Sequence, residues 1–522
     1  MSQVPSSLEA EFVPSVAGSV DVHARAVETR WLLWFGVVAS GALLAIFFGF
    51  PYLPMVDLPQ HAAQIAVWVH LGEKSFPGVE NFEVNLRTPY LTGYVVARVL
   101  AIWLGVVSGL KLGIWLSVVG HFVVFALLVR KLGHSAWLAL LGLPLAFGYG
   151  FYFGFVSFIA AVPFAILALL FALRHREENS WRTGFALSLA LCLTLFSHGF
   201  ACGVALAMAA PLLLRGEGRF ATRVLPLLAP VLFAWVWIAP GSSAQRIGST
   251  IWSPRFFELV QLPALLFSAS AADTFATVCG VVCLLLLALG LGRPRRAPEF
   301  WLPALGVLAG FCLFPESMGG FGPLHPRFAA FLGPALLVAF EPRRAPLFKG
   351  LPSVAMALLS AWCAVFAWRV SVFNQETAGV RSFVQQMPVG LSVRPIIFER
   401  DSLVFPGLPA FLHMSAYYMA EKGGIQGYSF AMYPTSAIRY LPGFVPGMWG
   451  GAEWNPERFS AVRDVPRFDC FLVHSTRDRT GELFGEHLGD VELVLHQGSW
   501  WAYRVRPLAH ASRRLKLGMN YD

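Results

Sequence analysis

Charge is what this sequence has least of. Asp, Glu, Lys and Arg together make up 13% of its 522 residues, against 56% hydrophobic ones, roughly half the charged share of an average soluble domain. That shortage excludes a water-soluble globular chain of this length. The net charge of +9 does not make it a nucleic-acid binder either, because the basic residues are spread through short loops rather than over one face. Cysteine is also scarce in pattern: of the seven, at 192, 202, 279, 283, 312, 363 and 470, all but Cys470 sit in apolar segments, with neither metal spacing nor a disulfide framework. No internal repeat is visible. No small-residue cleavage site follows the first apolar run, which argues against a secretory signal.

What the chain does have is a series of apolar runs of membrane length. Trp31–Phe50, Phe151–Leu173 and Leu351–Trp368 each approach the ~20 residues that cross ~30 Å of hydrocarbon. Lipid offers no partner to an open backbone, so such runs must be helices. The basic residues fall between them, at Arg174 to Arg176, Arg215 to Arg223, Arg293 to Arg296 and Arg343 to Lys349, which is the positive-inside pattern of cytoplasmic loops. The fold class expected is therefore a polytopic α-helical protein of the cytoplasmic (inner) membrane. It should have about eleven transmembrane helices within residues 31–370 and a C-terminal extracytoplasmic α/β domain.

Anchoring the basic loops inside predicts spans near 111–130, 134–149, 151–173, 183–198, 199–214, 224–240, 273–292, 300–315, 327–340 and 350–370. Residues 1–30, with Pro5, Pro14, Glu9, Glu11 and Asp21, read as a disordered cytoplasmic tail. Arg25 and Arg30 hold that tail inside, so the span 31–50 delivers a long first outer loop, 51–110, to the other side. If 88–108 also crossed, parity would put Arg130 and Lys131 outside. The simpler solution lays 88–110 along the outer surface, which suits Arg98 and the aromatics Tyr90, Tyr94 and Trp103; the alternative is that it spans and the pair 183–214 is one helix fewer.

Past Arg369 the composition changes. Helical patterns at 376–387, 409–422 and 479–488 alternate with strand-like runs at 391–398, 470–474, 491–496 and 500–505, predicting an α/β unit over 371–508. A loop rich in Pro, Gly and aromatics fills 433–455. The basic tail 509–522, with Arg513, Arg514 and Lys516, would touch anionic lipid.

Chemistry concentrates directly after the first span, in Asp57-Leu-Pro-Gln-His61. Asp57 and His61 are four apart and share a helical face, and Gln64 extends it. Asp57 ahead of Pro59 is also an ordinary helix start, but capping does not account for an imidazole beside the carboxylate at a membrane edge. Such a pair could deprotonate a hydroxyl or hold a divalent ion, Mg or Mn. Glu73, Glu80 and Glu83 read as solvated surface. A second concentration lies at 315–328, where Glu316, His325 and Arg327 share a Gly- and Pro-rich outer loop. Arg327 could equally snorkel to lipid headgroups, and His198 stands alone at another outer helix end.

This layout resembles the GT-C class of polyprenyl-phosphate-dependent glycosyltransferases: an acidic residue soon after the first span, a long outer loop with a surface helix, many further spans and an outer soluble domain. The resemblance covers most of the chain as layout. It implies transfer of a sugar from a polyprenyl-phosphate donor to a lipid or glycan acceptor with inversion at the anomeric carbon. It implies Asp57 as base or metal ligand beside His61, and positive outer groups for the departing phosphate, with Arg246, Arg255, His325 and Arg327 as the candidates. Many members carry a second outer acid, for which Glu316, Glu258 or Asp273 could serve. The C-terminal unit has no Trp-Trp-Asp motif, since Ala502 follows Trp500 and Trp501, which argues against an oligosaccharyltransferase. A transporter or a lipid-linked glycan flippase or polymerase is the competing reading; such proteins usually show repeats or paired broken helices.

Overall fold

The structure, a computed structural model, describes residues 16–239, 249–318, 322–343, 347–444 and 451–507. Among these, five helices are long and apolar enough to cross a membrane: Arg30–Gly49, Val106–Lys131, Val156–Glu178, Phe220–Ile238 and Leu351–Glu376. Shorter apolar helices, among them Trp181–Ser197, Gly199–Leu214, Thr274–Gly290 and Leu302–Leu313, stand within a few residues of the expected spans. The chain is a polytopic helical membrane protein.

The first helix, α1 (Val16–Gly49), begins well before Trp31, so residues 16–30 are helical rather than a loose tail. Pro14 lies just upstream, and the stretch from Val16 to Arg30 contains three alanines and no proline, which favours helix once α1 is nucleated. Residues 1–15 and the basic tail 509–522 lie outside the described residues.

Then come α2 (Leu58–Val69), β1 (Phe82–Val84), α3 (Leu91–Leu104) and α4 (Val106–Lys131). The helix α3, of 14 residues, covers most of the stretch 88–110 expected at the surface. Gly105, at φ +81°, breaks it and turns the chain into α4. The two helices pack at backbone contact, since a Cβ on Gly109 would lie 2.4 Å from the Ala101 nitrogen.

The expected straight span 134–149 is different. It is a buried run of 3-10 turns, Ala136–Gly142 and Pro144–Phe147, followed by the short helix α5 (Tyr149–Tyr152). Pro144 supplies no N–H to a helix ladder, and Gly148 sits where a Cβ would meet the Leu265 carbonyl at 2.8 Å. Phe147 anchors this run, 4.4 Å from the ring of Trp362 and 5.2 Å from that of Phe366. Beyond it run α6 (Val156–Glu178), α7 (Trp181–Ser197) and α8 (Gly199–Leu214), with Ser180 capping α7 through the Thr183 N–H. β2 (Leu291–Pro294) and β3 (Phe340–Pro342) pair antiparallel.

Four C-terminal strands, β4 (Ser392–Ile397), β7 (Cys470–His474), β8 (Val491–Gln497) and β9 (Trp500–Val505), lie where alternation and β-branched content put them. Two short ones, β5 (Ile425–Gln426) and β6 (Ile438–Tyr440), were not expected, and β6 falls within the segment 433–455 read as a loop. Five form one sheet in the order β5-β4-β7-β9-β8. β5, β4 and β7 are parallel, and the β8–β9 hairpin closes antiparallel against β7.

The sixth strand ties this unit to the segment that follows α1. β6 pairs antiparallel with β1, setting Phe82 opposite Tyr440 and Glu83 opposite Arg439. The polar face of α2 does the rest: Gln60 Nε2 donates to the Tyr428 carbonyl at 3.1 Å and Gln64 Nε2 to that of Ile438 at 3.3 Å. Asn85 Nδ2 reaches the Pro434 and Ser436 carbonyls, each at 3.1 Å. Gln64 thus holds the loop against the C-terminal unit, and the helix Ala416–Lys422 packs directly on α2.

Candidate active site

Between these parts lies a cavity of about 450 Å³. Asp57, His61, Tyr90, Tyr94 and Arg327 line it from the membrane side, and His413, Tyr428, Phe430 and Trp454 from the C-terminal unit.

Asp57 stands at the N-cap position of α2, yet its side chain makes no capping bond. The backbone there is fixed from outside the helix instead: the Val56 and Asp57 N–H groups donate to the Tyr152 and Phe153 carbonyls, each at 3.0 Å. Gly154, at φ +78°, completes that cradle. The carboxylate is therefore released from the helix it begins and turned into the cavity, its side chain 16% exposed. Burial raises its pKa to about 6, against the pull of His413 and Arg327, which favour the anion, and with a further push from Glu453.

His61 is committed. Its Nδ1 lies 2.5 Å from the Tyr94 hydroxyl, and that hydroxyl donates onward to Gln64 Oε1. The chain of bonds makes His61 Nδ1 the donor. Burial and the nearby His413 push its pKa down to about 3, so the ring is neutral.

Arg327 sits in the turn His325–Phe328 ahead of the helix Ala329–Ala339. It does not reach out to headgroups; the residue is 7% exposed. Its guanidinium lies 4.0 Å over the Phe155 ring, Nε donates to the Pro323 carbonyl at 3.3 Å, and Nη1 is 3.3 Å from His198 Nε2. Among the described residues no carboxylate stands within salt-bridge distance of it. A buried cation with neutral partners is a place for an anion.

The other candidates gather elsewhere. Arg255 pairs with Glu258 at 2.9 Å and with Glu316, and His325 Nε2 contacts Glu258 at 2.9 Å. None of these four lines the cavity; they pair with one another, tying the segment 251–258 to the loop around 316–325. Asp273 caps the helix Thr274–Gly290 through the Ala276 N–H and forms a two-pronged pair with Arg369. Arg246 lies outside the described residues.

The charged groups nearest Asp57 include the cations His413 and Arg327, and among the described residues no three His, Cys, Asp or Glu side chains gather as a ligand set.

His413 and Glu453 escaped the sequence reading. His413 is 1% exposed and stands at φ +65°, a left-handed conformation uncommon outside glycine. Its Nε2 is 3.7 Å from Asp57 Oδ1, its Nδ1 is 3.1 Å from Glu453 Oε2, and its backbone N–H donates to Glu453 Oε1. Tyr428 stacks on its ring at 5.2 Å. No local motif announces either residue.

No protein-family model and no curated protein matches the sequence. Solved structures do. ArnT from Cupriavidus metallidurans in the apo state aligns over 92% of this chain and 99% of its own, at 12% identity and a TM-score of 0.56. The same protein bound to undecaprenyl phosphate aligns with the same coverage at 13% identity and a TM-score of 0.49. The arabinofuranosyltransferase AftD from mycobacteria aligns over 91% of this chain and 40% of its own, at 15% identity and a TM-score of 0.46. The match to apo ArnT, running nearly the length of both proteins, gives this chain a GT-C-like membrane fold.

Proposed function

We propose that the chain is a membrane glycosyltransferase that moves a sugar from a polyprenyl-phosphate donor to the hydroxyl of a lipid or glycan acceptor outside the cytoplasmic membrane. The observation that carries this is the juxtaposition of Asp57 and Arg327 in one cavity: a carboxylate released from its helix, and a buried guanidinium without a carboxylate of its own. The fold shared with ArnT, a protein that binds undecaprenyl phosphate, supports the donor class.

The two residues divide the reaction. The acceptor oxygen attacks the anomeric carbon and gives its proton to Asp57 as the new C–O bond forms. The bond from that carbon to the phosphate oxygen breaks on the opposite face, inverting the centre, and its electron pair stays on the departing polyprenyl phosphate. Arg327 meets the charge that develops there; in a water-poor site one such fixed donor is worth ~10²–10³ in rate. The aromatic wall of Tyr428, Phe430 and Trp454 suits the apolar faces of a sugar ring. This scheme puts the cavity and the C-terminal sheet on the outer side of the membrane.

The test is turnover by the purified full chain in lipid discs. A panel of polyprenyl-phosphate-linked pentoses and hexoses is offered with an acceptor-rich envelope extract, and the anomeric configuration of the product is read by NMR. Transfer with inversion is expected. Transfer with retention removes Asp57 from the role of base, and no transfer from any donor removes the reading.

A further inference from the structure

Asp57 belongs to the first outer loop, whereas the groups that press on it belong to the far end of the chain. We propose that His413, clasped by Glu453, is a positioning residue for Asp57, so that the C-terminal unit completes the active site rather than merely covering it. The inference rests on the reading of Asp57 as the base.

Glu453 grips His413 at two points, Oε1 receiving the backbone N–H and Oε2 facing Nδ1 at 3.1 Å. With Nδ1 turned to that carboxylate, Nε2 is the edge left for Asp57, 3.7 Å away. Tyr428 stacks on one face of the ring, and Phe430 and Trp454 meet it edge-on, so it has little freedom to turn. The left-handed backbone at His413 is strained for a residue other than glycine and persists only where its surroundings enforce it, a pattern that collects at functional sites. Glu453 is 2% exposed and, among the described residues, its bonds go to this one residue. A buried carboxylate that grips the backbone and the ring of a histidine facing a second carboxylate forms an acid–imidazole–acid line, the arrangement in which an outer group fixes the tautomer and charge of a histidine.

The charges agree with the geometry. Burial alone would lower the His413 pKa, but Glu453 and Asp57 outweigh it and hold it above the ordinary value of 6.5. The imidazolium in turn favours the anionic form of Asp57. The titratable neighbours of this line are Arg327, whose charge also favours the anion, His61 on α2, and the hydroxyls of Tyr94, Tyr149 and Tyr428.

The experiment uses full-length protein in lipid discs and reads Asp57 directly, as the infrared carboxyl band that disappears in Asp57→Asn, followed against pH. Turnover of the donor panel is followed beside it, and undecaprenyl phosphate binding serves as the check of folding. In His413→Gln the midpoint of the Asp57 band is expected to rise by about one pH unit, as it should when an opposite charge is removed. The acid limb of kcat should move with it, while KM for the donor stays within about twofold. In Glu453→Gln the readout is the His413 ring, whose pKa is expected to fall once its carboxylate partner is gone. A midpoint of the Asp57 band that coincides with wild type in a His413→Gln protein that still binds undecaprenyl phosphate overturns the proposal. A shifted band in a protein that turns over no donor sustains the positioning pair and sinks the glycosyltransferase reading instead. Should neither variant fold, the ring nitrogens of His413 in wild type decide the matter: a titration midpoint above the ordinary 6.5 is expected, and one below it contradicts the proposal.

Discussion

A Cβ placed on Gly154 would lie 2.8 Å from the backbone nitrogen of Asp57. The two residues come from different segments of the chain, and the close approach is what lets the Phe153 carbonyl receive the Asp57 N–H. Gly154→Ala must push the start of α2 away from that turn and also strain a backbone at φ +78°. Expected is a loss of about 1–3 kcal/mol in stability with a disproportionate fall in kcat, because the carboxylate moves with its backbone. Thermal unfolding in detergent beside single-turnover rates checks both; a variant with wild-type kcat would show that the Asp57 cradle is not needed.

The pH profile follows from the raised pKa of Asp57, about 6. A base must be ionised to accept a proton, so kcat/KM should fall as pH drops through about 6, and not only near the 4 of an ordinary carboxylate. Asp57 and His413 titrate as an interacting pair, so the limb reports both. A flat rate down to pH 5 contradicts this assignment.

Arg327→Lys should not rescue Arg327→Met. The guanidinium is sandwiched against Phe155 and forks between Pro323 and His198, a planar geometry that an ammonium does not reproduce. Both variants are expected to lose ~10²–10³ in kcat and to weaken undecaprenyl phosphate binding, measured by native mass spectrometry. Binding that is unchanged in both would remove Arg327 from the phosphate site.

By contrast, Arg255→Gln should leave turnover within about threefold of wild type. Its guanidinium already serves Glu258 and Glu316 and does not line the cavity, so its loss releases structural contacts on a partly exposed loop. A hundredfold fall in rate would return the 251–258 segment to the list of donor contacts.

What could be read in advance and what could not divides along sequence distance. Asp57 was visible because a carboxylate just past the end of a long apolar run is costly and conspicuous. Strands β4, β7, β8 and β9 announced themselves by β-branched and aromatic runs. Strands β1 and β6 are three residues each and exist only because they find one another across most of the chain, so neither segment carries a strand signal of its own. His413 and Glu453 were hidden for the same reason. Nothing beside either one in sequence is ionic or repetitive, and their meaning arises only when the helix Ala416–Lys422 packs on α2. The run 134–149 read as one regular helix because an apolar composition fits 3-10 turns as well as it fits an α-helix, and only its glycines and Pro144 mark the irregularity. Arg255, His325 and Glu316 were sensible candidates by location, but charge balance among themselves decided where they went.

The most direct measurement is sugar transfer from the polyprenyl-phosphate donor panel by wild type and by Asp57→Asn, purified side by side in lipid discs with undecaprenyl phosphate binding as the control for folding. Turnover in wild type, with a loss of at least a thousandfold in Asp57→Asn and undiminished binding, is the predicted result, on the order of what removing a catalytic base costs. Turnover that survives the substitution would contradict the assignment of Asp57 as the base.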